Sequence, residues 1–192
     1  MKRTWQIVGV PLGLIMLACS TADAERLSRS ATDTYTITHE SGVGRVLFHA
    51  NLTAPEENVI VRRALLRVPL TAIEFSERMT LRVHPVTTAW SSGQVSWTTG
   101  WSRQGGDFDD RLRARAEVSA LSEGEAIFDI TVIAKEMLEH GMTNYGFILT
   151  VDPGEGLGLP AQDLENLESL AGATVQVEWR RKPELPAEHR AG

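Results

Sequence analysis

Three tryptophans, Trp90, Trp97 and Trp101, fall within one stretch rich in glycine, serine and threonine. An exposed indole face is a surface on which a sugar ring stacks, but tryptophan is also a large apolar body that mostly buries. Trp101, directly after Gly100, is the one that stands as a ligand contact. Arginine is the second candidate: Arg111, Arg113 and Arg115 alternate with Leu112, Ala114 and Ala116, and Arg63, Arg67 and Arg82 hold alternate positions in two other apolar runs. Guanidinium forks gathered on one sheet face would grip carboxylates or sulfates of an anionic polysaccharide bidentately. The ordinary alternative is a solvated face whose charges pair with Glu74, Glu77 or Glu117. The patch exists only if these strands share a sheet face.

The run Gly105-Gly106-Asp107-Phe108-Asp109-Asp110 offers three carboxylates, Asp107, Asp109 and Asp110, on a glycine-rich loop. Hard oxygen ligands of this kind suit calcium, and a structural calcium is the one cofactor such a loop would hold. The spacing is not that of an EF-hand, and a polar turn leading into the arginine strand explains the same residues. Signals for an enzyme are poor. The five histidines show no paired metal-ligand spacing, and no Gly-x-Ser-x-Gly elbow is present. A polysaccharide lyase with His84 or Tyr145 as base and arginines neutralising a uronate is the minor alternative.

The chain has 192 residues, 42% hydrophobic and 23% charged, which suits one domain with tails. A net charge of −6 argues against a general nucleic-acid binder. With one cysteine, Cys19, an intrachain disulfide and any multi-thiolate metal site are excluded. Lys2 and Arg3 precede an apolar run from Ile7 to Ala18 that is short for a membrane span and fits an export signal. Two processing sites compete within 1–24. Met16-Leu17-Ala18-Cys19 resembles a lipobox, with lipidation of Cys19, and Ala22-Asp23-Ala24 resembles an ordinary signal-peptidase site. Removing Lys2 and Arg3 from the 19 basic residues leaves 17 against 25 acidic ones, a charge of −8. The expected location is the outer membrane or cell surface through the lipid alone, or otherwise the periplasm or medium.

The elements that must position these residues read mostly with a period of two, the mark of half-buried strands. Ala64, Leu66, Val68 and Leu70 face one way, Leu81 and Val83 repeat the pattern, and a strand is predicted through Arg111 to Val118. Others are predicted over 35–38, 46–50, 126–130, 146–151 and 174–179, the last with Val175, Val177 and Trp179 inward. One helix is expected over 131–140, capped by Asp129 or Thr131, ended by Gly141, and buried through Val132, Ile133, Met137 and Leu138. A second helical stretch over 161–170 competes with a loop. Residues 25–32 read as a tether, 33–180 as the folded domain and 181–192 as a disordered tail. Eight or so short strands with Gly, Pro and Asn turns give an all-β, antiparallel, jelly-roll-like sandwich with one short helix.

The order of several short motifs resembles the DNRLRE family of surface-protein domains, related to a carbohydrate-binding module family that recognises alginate-like glycans. The pieces are Arg45-Val46-Leu47-Phe48, Ala64-Leu65-Leu66, Val86-Thr87-Thr88-Ala89-Trp90, Trp97-Thr98, Phe128-Asp129-Ile130-Thr131, Asn144-Tyr145-Gly146-Phe147 and Val175-Gln176-Val177. The resemblance spans about 43–179 and implies a non-catalytic β-sandwich of secreted or surface-anchored proteins. Met137 and Leu138 stand where the family often has a tryptophan, and the region before Val43 does not align. The expected function is carbohydrate binding at the cell envelope, with Trp101 and the arginines as contacts. The alternative is a structural lipoprotein docked on an envelope protein.

Overall fold

The structure, a computed structural model, describes residues 25–52, 58–69, 78–119, 124–151, 159–160 and 172–183. The leader with Cys19, the possible helix over 161–170, Leu70, Glu74, Glu77 and the tail from 184 onward lie outside the described residues. In chain order the elements are β1 (Glu25–Thr38), β2 (Val43–Ala50), β3 (Val59–Pro69), β4 (Met79–Pro85), β5 (Ala114–Val118) and β6 (Glu125–Asp129). They continue with α1 (Thr131–Leu138), β7 (Phe147–Val151), β8 (Leu159–Pro160) and β9 (Thr174–Arg181). Every strand ladder is antiparallel, so the all-β class read from the period-two pattern holds.

Strand β1 joins two sheets. Its first part, Glu25 to Ser30, pairs with β9, and its second, Ala31 to Thr38, pairs with β2. Early in the second part, the register against β2 shifts between Thr32 and Tyr35, and Asp33 takes a left-handed φ of 48°. A short polar side chain tolerates that conformation, and a bulge of this kind bends a strand from one sheet to another. One sheet thus runs β6-β3-β9-β1 and the other β1-β2-β7-β4-β5, with β8 attached to β2. Inward residues of both meet in one core, Phe48, Leu81 and Phe147 from the second sheet against Leu66, Phe128 and Val177 from the first.

Residues 25–32, expected as a tether, therefore belong to the fold. Their polarity conceals this, because the ladder to β9 is a backbone property. The polar side chains occupy positions opposite Glu178 and Gln176, with Arg26 and Glu178 forming an ion pair at 2.5 Å. The inward settings of Ala64, Leu66, Val68, Leu81, Val83, Val175, Val177 and Trp179 are as expected.

Helix α1 buries Ile133, Ala134 and Met137, whereas Val132, expected on the buried stripe, is 62% exposed. Neither Asp129 nor Thr131 is the N-cap residue, which is Ile130. Asp129 instead accepts the Thr131 backbone N–H at 3.0 Å from outside the helix, and Thr131 Oγ1 accepts the Ala64 N–H of β3 at 2.9 Å. Gly141, at φ 77°, ends the turn as expected. Among the described residues no helix is long and apolar enough to cross a membrane.

Candidate functional site

The long connection from β4 to β5, residues 86–113, folds over the outer face of the second sheet. There it builds a second apolar cluster from Trp90, Val95 and Trp97 against Ile37, Leu47 and Ile148. Trp90 is buried, donates its indole N–H to the Tyr145 carbonyl at 2.7 Å, and stacks on His49 with centroids 4.4 Å apart and planes 6° apart. Trp97 is buried as well. Trp101, the expected ligand contact, is half-buried against this cluster and donates its N–H to the Ser96 carbonyl at 2.8 Å.

A ladder of cations and rings holds the connection down. The Arg45 guanidinium of β2 lies 4.9 Å from the Trp97 ring centre and 5.3 Å from that of Phe108, and donates to the Gly105 carbonyl at 2.7 Å. Arg103 covers Phe108 at 4.3 Å, donates to the Gly106 and Phe108 carbonyls, and pairs with Asp110 at 3.1 Å. Burial, helped by the nearby charge of Arg103, lowers the Arg45 pKa from its ordinary value. Sequence reasoning missed Arg45 as a site residue. The available signal was its position in β2 between Val43 and Leu47, on the face opposite Val46 and Phe48, which marks it as facing the tryptophan-rich segment.

The three carboxylates of the glycine-rich loop are drawn to different donors. Asp107 is buried and accepts from the backbone N–H groups of Ser102 (2.8 Å) and Arg103 (3.0 Å) and from the hydroxyls of Ser102 (2.8 Å) and Thr88 (3.1 Å). Burial pushes its carboxyl up, but these hydrogen bonds outweigh that and hold it below the ordinary carboxylate range. Asp109 takes the Arg111 backbone N–H at 2.9 Å and its guanidinium at 3.1 Å. Asp110 faces Arg103. Among the described residues no group of three acidic, histidine or cysteine side chains converges as a metal site.

The six arginines do not form one face. Arg63 and Arg67 sit on β3 in the first sheet, where Arg67 pairs with Glu125 at 2.8 Å. Arg82 and Arg115 sit on β4 and β5 of the second sheet, directly opposite each other in the ladder. Arg111 and Arg113 precede β5, which starts at Ala114, because Asp109 holds Arg111 in a turn. The acidic side chains around β5 are already taken: Glu117 by Arg78, Asp109 by Arg111 and Asp110 by Arg103. Arg115 is exposed and has no carboxylate partner among the described residues, and Arg113 donates to the Asp110 carbonyl at 3.3 Å.

On the same covering segment, a cleft of about 280 Å³ opens between its arm and the β1–β2 turn, lined by Thr38, His39, Glu40, Ser96, Trp97, Thr98 and Gln104. No sequence spacing connects these residues, since the two arms lie far apart in the chain. His84, read as a lyase base, is buried against Phe108 with ring centres 4.8 Å apart, and its Nδ1 lies 3.3 Å from the Asp109 carbonyl. Burial lowers its pKa. Tyr145, the other residue read as a base, packs on the second cluster and gives its carbonyl to Trp90. No protein-family model matches the chain, and no curated protein matches it.

Proposed function

We propose that this protein is an exported, non-catalytic carbohydrate-binding β-sandwich of the DNRLRE type, and that it holds an anionic polysaccharide at the surface formed by Arg82, Arg113 and Arg115. The observation that carries this is the β4–β5 register, which sets the Arg82 and Arg115 positions opposite each other, with Arg115 exposed and without a carboxylate partner among the described residues. Like charges directly opposite across a ladder are destabilising in themselves. A bound carboxylate or sulfate reverses that sign, because a guanidinium fork matches its two oxygens. Arg63 and Arg67, on the other sheet, are outside this surface.

Affinity electrophoresis of the whole protein in alginate or pectate tests the reading. Retardation is expected, weakening with salt because exposed charges are screened. R113A/R115A should weaken it at least about tenfold, or about 1.4 kcal/mol, whereas R63A/R67A should not. Free migration in every polyanion, or an equal loss from both pairs, contradicts the assignment.

The reading includes a membrane anchor at Cys19. Both cleavage points precede Glu25, so either leaves every described strand whole. Cutting before Cys19 would leave six residues as a spacer reaching at most about 20 Å. Intact-mass measurement of the mature chain distinguishes a diacylated Cys19 from a free Glu25.

A further inference from the structure

We propose that the cleft between the β1–β2 turn and the arm of the covering segment is a second saccharide site, one that takes an uncharged, hydroxyl-rich sugar ring. It is separate from the arginine surface and does not rest on it.

The chemistry of the walls selects this class. The volume of about 280 Å³ lies at the small end of ligand pockets. Among the described residues, the side chains of Thr38, Glu40, Thr98 and Gln104 make no hydrogen bond, Thr98 bonding to Ser96 only through its backbone N–H. A carboxylate, an amide and hydroxyls exposed in one cleft can trade water for the vicinal hydroxyls of a pyranose. His39 adds a ring with one nitrogen already engaged. Its Nδ1 accepts the Ser41 backbone N–H at 3.1 Å, so the neutral ring carries its proton on Nε2. Trp97, itself buried, backs the cleft with its ring centre 5.2 Å from that of His39.

The walls also argue against charged ligands. Glu40 repels a uronate or phosphate, and no arginine or lysine is among the described lining residues. A cation is disfavoured because the Trp97 ring already faces the Arg45 guanidinium at 4.9 Å. The far wall is set before any ligand arrives. Gly105 N–H donates to the Trp97 carbonyl at 2.7 Å, and Ser96 Oγ accepts the Thr98 and Thr99 N–H groups at 3.3 and 3.1 Å. Little ordering then remains to oppose binding.

The test is calorimetry of the whole protein with neutral gluco-, manno-, xylo- and galacto-hexaoses, alongside alginate. At least one neutral hexaose should bind. Glu40→Gln and Gln104→Ala, both at exposed positions, should each weaken it fivefold or more at unchanged melting temperature, with R113A/R115A leaving it intact. If no neutral hexaose binds, or if binding survives both cleft variants, the second site is overturned. Alginate binding that persists in Glu40→Gln would leave the arginine surface standing in either case.

Discussion

At Gly105 the backbone passes over the Arg45 guanidinium and the Trp97 ring. A Cβ there would lie 2.6 Å from Arg45 Nη1 and 3.1 Å from Trp97 Cζ2, and the φ of 81° is one that side-chain-bearing residues adopt only under strain. Gly105→Ala is therefore expected to destabilise the protein by roughly 1–3 kcal/mol in urea unfolding. His84 gives the pH dependence. Burial lowers its folded pKa below the unfolded value of about 6.5, so the unfolded chain takes up the proton first. Stability is then full above that value and falls as the pH drops through it toward the folded pKa. In His84→Gln the loss in urea midpoint between pH 7 and pH 5 should be smaller than in the parent, and an unchanged loss would show that His84 is not its source.

Helix α1 covers the part of β3 that β6 does not reach, since β6 pairs only with Leu65 to Pro69. Two backbone N–H groups of that open stretch find acceptors on side chains at the two ends of the helix. Ala64 donates to Thr131 Oγ1 at 2.9 Å and Val61 to Glu139 Oε1 at 2.7 Å, on either side of the bulge at Arg62. An open strand edge invites pairing with other chains, and a helix laid along it closes that route. Thr131→Val and Glu139→Ala should each cost roughly 1–3 kcal/mol, because each strands a strand donor. Amide exchange at Ala64 and Val61, respectively, should accelerate, and unchanged exchange would reject the capping role. The helix itself was legible from its spacing and from Gly141. Its facing was not, because Val132 and Ala134 fit a buried stripe equally well and only the position of β3 chose between them.

Across the whole molecule, the second sheet has apolar layers on both faces. One is the core shared with the first sheet, and the other is the cluster under residues 86–113. The second layer is pinned by Arg45, so Arg45→Ala should weaken it by roughly 2 kcal/mol or more. Hydrogen exchange should then show lost protection across 86–113, with β3 and β9 near the parent level. Equal loss everywhere would mean that the two layers unfold as one.

The sequence by itself determined the strand pattern, the inward sets on β3, β4 and β9 and the place of the helix, because alternation and capping residues are local. It also narrowed the aromatic residues correctly, in that Trp90 and Trp97 are buried. Only the tertiary structure decided which arginines are neighbours, since ladder register sets Arg82 against Arg115 and sends Arg63 and Arg67 to another sheet. It likewise gave Asp107 its donors on Thr88, Ser102 and Arg103, made residues 25–32 a strand, and brought Glu40 and Gln104 to one cleft. Each of these depends on contacts between segments distant in the chain, and spacing along a sequence carries no measure of them.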